Sequence, residues 1–300
     1  MCRLTTPRQV AGHARELDTD PAGCDFRRVP YEPSTFRIGT QGWNYEAWVG
    51  PFFPEGTRAQ DYLATYARAF DTVEVDSTFY AIPPAKVVRG WASRVPAGFT
   101  FALKMPQQIT HEQRLRACED LVALFADRAR ELGDALGPVL LQFGPDFGLS
   151  ELPALAAFLP LLPRDLRFAA EFRDRRWINE GVLALLAEHQ VALALVDGRW
   201  IPRRTMLKLA EAPTADFAYV RWMGPDRGIV DYSRVQVDRT KEIDAWVAAL
   251  PALAERVATV SIYVNNHFSG HSPATARMLQ ERLGLGATPP AELADQLSLL

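Results

Sequence analysis

Cysteine is scarce in this sequence: Cys2, Cys24 and Cys118 are odd in number, far apart and free of any C-x-x-C spacing. That excludes a disulfide framework, gives no zinc signature, and reads as a reduced, intracellular protein. Long apolar runs are missing as well. The opening stretch MCRLTTPRQVAGHARELDTDP has no secretory core, and no later segment holds the ~18 uninterrupted apolar residues of a membrane span. A cytoplasmic location without a membrane partner is expected. A basic excess is the third absence. The net charge is -3, whereas broad binders of nucleic acid or anionic membranes need surplus cations to displace counterions. Nucleic acid is therefore disfavoured, and a small neutral or anionic ligand fits better. Only four of the 33 basic residues are lysines, Lys86, Lys104, Lys208 and Lys241, which makes the position of each informative.

What is present is material for one large core. Hydrophobic residues make up 48% of the chain and charged residues 23%, the balance of an ordinary globular domain. Residues 1–35 lack sustained periodicity and hold Pro7, Pro21, Pro30 and Pro33, so they are expected to form an N-terminal extension to a domain over 36–300. From Phe36 onward, apolar runs of strand length recur: FRIGT, TVEVDS, FTFALK, PVLLQF, RFAAEF, VALALV, FAYVRW and TVSIYV. Segments of helical period lie between most of them, among them DYLATYARAF, CEDLVALFADRARELG, GVLALLAEHQ and EIDAWVAALPALAERV. Eight strands alternating with helices predict a single eight-stranded parallel β/α barrel of the TIM type. An open doubly wound sheet is disfavoured, because GTQGWNY after the first strand lacks the G-x-G-x-x-G order of a phosphate-cradling turn.

In such a barrel the ligand pocket forms at the C-terminal ends of the strands. The segments expected there, GTQGWNYEAW, DSTFYAIPP, KMPQQITHEQ, QFGPD, EFRDRRW, VDGRW, RWMGPD and NNHFSGHSP, are rich in Trp, Tyr, His, Asn and charge. Side chains alternate along a strand with period two. If Val73, Val75, Phe101, Leu103, Phe168, Ala170 and Phe172 pack on the helices, then Glu74, Asp76, Lys104, Glu171, Arg173, Tyr219 and Arg221 converge inside near the mouth. Charges placed there must be paired, either as a structural plug or as a centre that meets a ligand.

Around that set stand further candidates. His111 and His267 follow strands three and eight and suit acid–base or ligand-binding work, while His13 and His189 fall elsewhere. Asn265 offers a donor and an acceptor. Trp43, Tyr80 and Trp177 present aromatic faces, whereas Trp48 with Phe52 and Phe53 reads as a hydrophobic plug.

The pieces IGTQGWNYEAWVGPFFP, FDTVEVDSTFYAIP, FALKMPQQITH, LGPVLLQF, AAEFRDRRW, FAYVRWMG and YVNNHFSGHSPATA, in this order, resemble the YecE-like family (domain of unknown function 72). The resemblance spans roughly residues 36–284. It implies a β/α barrel and leaves the activity open, with a suggested relationship to sugar isomerases as analogy only. Position by position it points to Gly39, Thr40, Gly42, Trp43, Glu74, Ser77, Thr78, Phe79, Tyr80, Lys104, His111, Gln142, Glu171, Arg173, Trp177, Arg221 and Asn265. Asp76 stands where the family pattern commonly has asparagine, and Asp174 where histidine is frequent.

Two classes of function fit. In the first, an enzyme acts on a small sugar-like, polyol or anionic molecule by isomerase- or lyase-like chemistry. Glu74, Glu171, Lys104, Arg221 and His111 would carry the reaction, and Thr40, Trp43, Tyr80, Gln142, Arg173, Trp177, Tyr219, Asn265 and His267 would bind the substrate. A covalent variant has Lys104 forming a Schiff base. In the second, a non-catalytic barrel binds a metabolite or nucleotide and acts through a partner. No cofactor and no metal site are predicted; were a divalent metal involved, Glu74, Asp76, Glu171 and a histidine are the hard ligands at hand. Nothing in the sequence specifies an oligomeric state.

Overall fold

Each of the eight apolar runs becomes a strand, and the strands close on themselves in sequence order. In the computed structural model, which describes residues 36–225 and 228–295, they are β1 (Phe36–Gln41), β2 (Thr72–Val75), β3 (Thr100–Lys104), β4 (Leu136–Gln142), β5 (Phe168–Glu171), β6 (Val191–Gly198), β7 (Phe217–Gly224) and β8 (Thr259–Val264). All neighbours are parallel, and β1 pairs with both β2 and β8, so the sheet is a closed barrel without an edge. The expected extension over 1–35 lies outside the described residues.

Alternation decides what each face holds. Val73, Val75, Phe101, Leu103, Val139, Leu141, Phe168, Ala170, Val220, Trp222, Ile262 and Val264 belong to the large outer core beneath the helices. Helices bury matching stripes against it: Glu119–Arg130 buries Val122, Phe125, Ala126 and Ala129, the i, i+3, i+4, i+7 pattern of one face. A second apolar cluster fills the barrel itself, with Ala102, Leu140, Ala169, Ala192, Ala194, Tyr219 and Tyr263. Small residues on β3, β5 and β6 make room for the two tyrosines, whose rings lie 5.0 Å apart. The interior is therefore packed through its middle, and an opening remains only at its ends.

Backbone contacts set the shape of the mouth. At Gly39 a Cβ would stand 2.0 Å from the Thr72 carbonyl oxygen, so glycine permits the close approach of β1 to β2. Gly224, at φ +78°, ends β7 where a Cβ would meet the His267 carbonyl oxygen at 2.3 Å. The strand TVEVDS stops sooner than its alternation suggests: β2 ends at Val75, and Asp76–Phe79 turns as a 3-10 helix. Thr78 explains the turn. Its hydroxyl accepts the Lys104 N–H at 2.9 Å and lies 2.8 Å from the Lys104 carbonyl oxygen, tying the turn to the end of β3.

No helix among the described residues is long and apolar enough to cross a membrane. Trp48, Phe52 and Phe53 are buried against one another, as the plug reading expected.

Candidate active site

The innermost polar layer of the mouth is built on β2, β5 and β7. Arg221 lies between two carboxylates contributed by strands on other sides of the barrel. Its Nε and Nη2 donate to Glu74 Oε2 and Oε1 at 2.9 and 2.7 Å, and its Nη1 donates to Glu171 Oε2. Tyr219, one inward position below on β7, donates its hydroxyl to Glu74 Oε2 at 2.6 Å. Arg173 reaches Glu171 Oε1 at 3.3 Å. Glu74, Arg221 and Glu171 are all essentially inaccessible to water. Charges so buried are tolerable only because each has partners.

Environment divides the two carboxyl groups. Burial pushes Glu171 upward, but Arg221 and Arg173 outweigh it and hold the group below the ordinary carboxylate range. For Glu74 burial prevails, and the repulsion of Asp76 adds to it against the attraction of Arg221. Glu171 is thus the carboxylate kept ionised at the cavity wall.

Above this layer opens a cavity of about 460 Å³, with Gln41, Asp76, Tyr80, Lys104, Gln142, Glu171, Arg173, Arg199, Trp200, Arg221, Asn265 and His267 among its walls. Four cationic side chains, Lys104, Arg173, Arg199 and Arg221, face two anionic ones, Asp76 and Glu171, so the wall favours an anion. Cavities of about 430 and 350 Å³ also exist at the opposite end of the barrel. Their carboxylates are engaged at the surface, Asp71 with Arg37 and Asp165 with Arg130, and among the described residues no buried charge converges there.

Lys104 differs from the charges of the innermost layer. Its ammonium group lies at the end of β3, and among the described residues only one carboxylate oxygen, Asp76 Oδ1, comes within 4 Å, at 3.6 Å. The ring of Phe79 sits 4.1 Å from Nζ. Burial pushes its pKa below the usual lysine value; Asp76 opposes the shift and Arg221 assists it. A buried, weakly paired amine with depressed basicity is a common sign of a functional lysine.

The remaining candidates separate into two groups. Tyr80, Gln142, Arg173, Asn265 and His267 line the cavity together with Lys104, Glu171 and Arg221. Asn265 donates to Gln41 Oε1 at 2.7 Å, and Tyr232 meets His267 Nε2 at 3.2 Å. Six others are outside its walls. Thr40 faces away, its N–H bonded to Tyr66 Oη at 2.8 Å and its hydroxyl to the Gly42 carbonyl at 2.8 Å. Trp43 packs edge-on against Trp91 and Phe101 of the outer core. Trp177 is fully buried, stacked on Phe147 and Phe172, and spends its indole N–H on the Phe147 carbonyl. Tyr219 and Glu74 lie beneath Arg221 and bond to each other, outside the cavity wall. His111 stands on the turn of Gln108–Glu112, its Nδ1 2.9 Å from Thr110 Oγ1 and its ring against Phe79. Burial and the nearby cations Lys104 and Arg173 lower its pKa.

Gln41, Arg199, Trp200 and Met223 are wall residues that the candidate set omitted. Gln41 and Met223 were accessible to the same alternation rule, applied to β1 and β7. Arg199 and Trp200 sit in VDGRW, where the Arg199 guanidinium lies 4.4 Å from the Trp200 ring and that of Arg173 lies 5.9 Å from it.

Among the described residues no group of three or more His, Cys, Asp or Glu side chains is arranged to hold a metal ion. His267 and His271 have the i, i+4 spacing of paired helix ligands, but Gly270 at φ +114° ends the short helix between them. Asp174 caps the turn that carries Trp177, its Oδ1 accepting the Arg176 N–H at 3.0 Å.

Comparison with known proteins places the chain in a family and bears on its fold. The model of a family described as "Protein of unknown function DUF72" matches residues 37–296. The UPF0759 protein YecE of Escherichia coli K12 is 35% identical over 144 residues, 48% of this chain and 50% of that protein. The chain thus matches about half the length of that relative. The UPF0759 protein YunF of Bacillus subtilis 168 is 26% identical over 270 residues, 83% of this chain and 94% of that protein. A crystal structure of a DUF72 family protein from Thermotoga maritima superposes with a TM-score of 0.71 at 23% identity, covering 83% of this chain and 99% of that one. One from Enterococcus faecalis gives 0.67 at 22% identity, over 84% and 99%. These likenesses bear on the fold.

Proposed function

Since this chain belongs to the DUF72 family, whose fold is a β/α barrel and whose chemistry is open, we propose from its cavity that it is an enzyme acting on a small anionic, sugar-like or polyol substrate. The observation that carries the reading is Lys104: a buried amine of lowered basicity that faces the cavity beside a wall rich in cations. Arg173 and Arg199 would hold the anionic group, because guanidinium forks bind carboxylate and phosphate strongly. Trp200 and Tyr80, on opposite loops, would cover the apolar face of the carbon chain. Lys104 and Asp76 would then exchange protons with the substrate, and Arg221 would stabilise negative charge developing on a substrate oxygen. In this scheme Glu74 is a positioning residue for Arg221 rather than a proton carrier. Isomerase- or lyase-type proton transfer suits the set.

A receptor role draws support from the Arg221 network, in which each of the three guanidinium nitrogens already donates to a carboxylate. The two readings separate in one experiment. Triose and pentose phosphates and aldonates are titrated calorimetrically into wild type and Lys104→Met, and the tightest binder is followed for conversion by NMR. Conversion by wild type, with binding kept and turnover lost in Lys104→Met, supports the enzyme. Binding without conversion by wild type overturns it in favour of a receptor.

A further inference from the structure

Resting on the reading of the cavity as an active centre for a small anion, we propose that Lys104 is a nucleophile that forms an imine with the carbonyl carbon of its substrate. The substrate class is then narrowed to short oxo-acids and phosphorylated aldehydes or ketones.

Five observations support it. The backbone of Lys104 is clamped on both its N–H and its carbonyl side by the Thr78 hydroxyl, so the side chain starts from a fixed point at the strand end. The carboxylates that would lock the amine as an ammonium are occupied elsewhere: Glu74 and Glu171 both bind Arg221, and Glu171 also meets Arg173. The remaining acid, Asp76, lies 3.6 Å from Nζ, beyond hydrogen-bond reach as it stands but within a small side-chain movement of it, and its side chain is 37% exposed to water. Burial favours the free amine as well. The positive charge of the product would sit over the Phe79 face, where the ammonium sits now.

The step balances without an added reagent. The ammonium of Lys104 gives one proton to Asp76, and the freed lone pair attacks the carbonyl carbon while the C=O π pair moves to oxygen. A second nitrogen proton passes to that oxygen, giving a neutral carbinolamine. Asp76 returns its proton to the hydroxyl, the C–O bond breaks, water leaves toward solvent, and the nitrogen lone pair forms the C=N bond of a protonated imine. The anionic end of the substrate would be held by Arg173 and Arg199, which line the same cavity.

The test is reductive trapping. The full chain is incubated with pyruvate and, separately, glyceraldehyde 3-phosphate, each with sodium borohydride, and its peptides are mapped by mass spectrometry. The expected result is an adduct on the Lys104 peptide ahead of Lys86, Lys208 and Lys241, lost in Lys104→Arg, whose melting temperature shows that it folds. An adduct spread evenly over the four lysines, or none, overturns the imine. Calorimetry with the same two compounds without borohydride separates the failures: binding without trapping overturns the imine and leaves the anion-binding centre standing. Neither binding nor trapping overturns both.

Discussion

Within one barrel mouth, charge is handled in two ways a few ångströms apart. In the floor, Arg221 makes two bonds to Glu74 and one to Glu171, Tyr219 adds another to Glu74, and only the edges of Arg221 and Glu171 reach the cavity wall. At the rim, Lys104 and Asp76 face each other at 3.6 Å, and Arg199 rests on a Trp200 ring that is 38% exposed. The floor has the features of a structural network, whose partners satisfy each other. The rim has those of a site with unfilled capacity. A reading that treats all seven inward polar residues as equivalent merges the two.

The sharpest way to break the comparison is Arg221→Leu. It leaves Glu74 and Glu171 buried without their shared cation, and loss of one partner of a buried network costs about 3–5 kcal/mol. Urea denaturation should show a loss of that size. A loss below about 1 kcal/mol would mean that water enters to solvate the carboxylates and that the floor is not closed.

Lys104→Met should do far less to stability. An amine whose folded pKa is lowered disfavours the fold while it is protonated, below that pKa, and the penalty fades as pH rises through it. Replacing it with an unbranched apolar side chain removes the penalty, so stability at neutral pH should change by less than about 1 kcal/mol or rise. Loss of ligand conversion without loss of stability would place Lys104 with the rim. A drop as large as that of Arg221→Leu would place it with the floor.

The difference between the layers also explains how far the sequence could be read. Eight strands were legible because each is a short apolar run between helical segments, and the inward set because period two is strict once one face packs on helices. Glu74, Lys104, Glu171, Tyr219 and Arg221 all fall inside as that rule requires. Thr40 went astray by one position: its neighbour Gln41 faces the cavity, and the rule applied to β1 would have chosen it. Trp177 and Trp43 went astray for another reason. An aromatic residue just past a strand end looks the same in sequence whether it stacks on a ligand or on Phe172, and only packing tells the two apart. Asp76 was expected on the strand and is on a 3-10 turn, because the Thr78 hydroxyl binds the end of β3 and curls the chain. Family membership was legible from motif order; the partition of charges into floor and rim was not, since it depends on which carboxylates reach Arg221 first.

The smallest expected effect on stability, and the most discriminating on chemistry, belongs to Asp76→Asn. Asp76 is partly exposed and loosely paired, so its removal should leave the fold within about 0.5 kcal/mol of wild type. Its charge raises the Lys104 pKa against burial, so asparagine should lower that pKa further and enlarge the free-amine fraction at neutral pH. Competitive acetylation of Lys104, followed by mass spectrometry across pH, should therefore show a midpoint below the ordinary lysine value of about 10.4 in wild type and a lower one in Asp76→Asn. Simple acylation needs only the free amine and should be faster in the variant near neutrality. Imine formation also needs a proton relayed to the departing hydroxyl, which asparagine does not supply, so trapping should be slower. Opposite changes in the two rates would assign Asp76 a proton-carrying role at the rim; parallel changes would reduce it to a point charge that tunes Lys104.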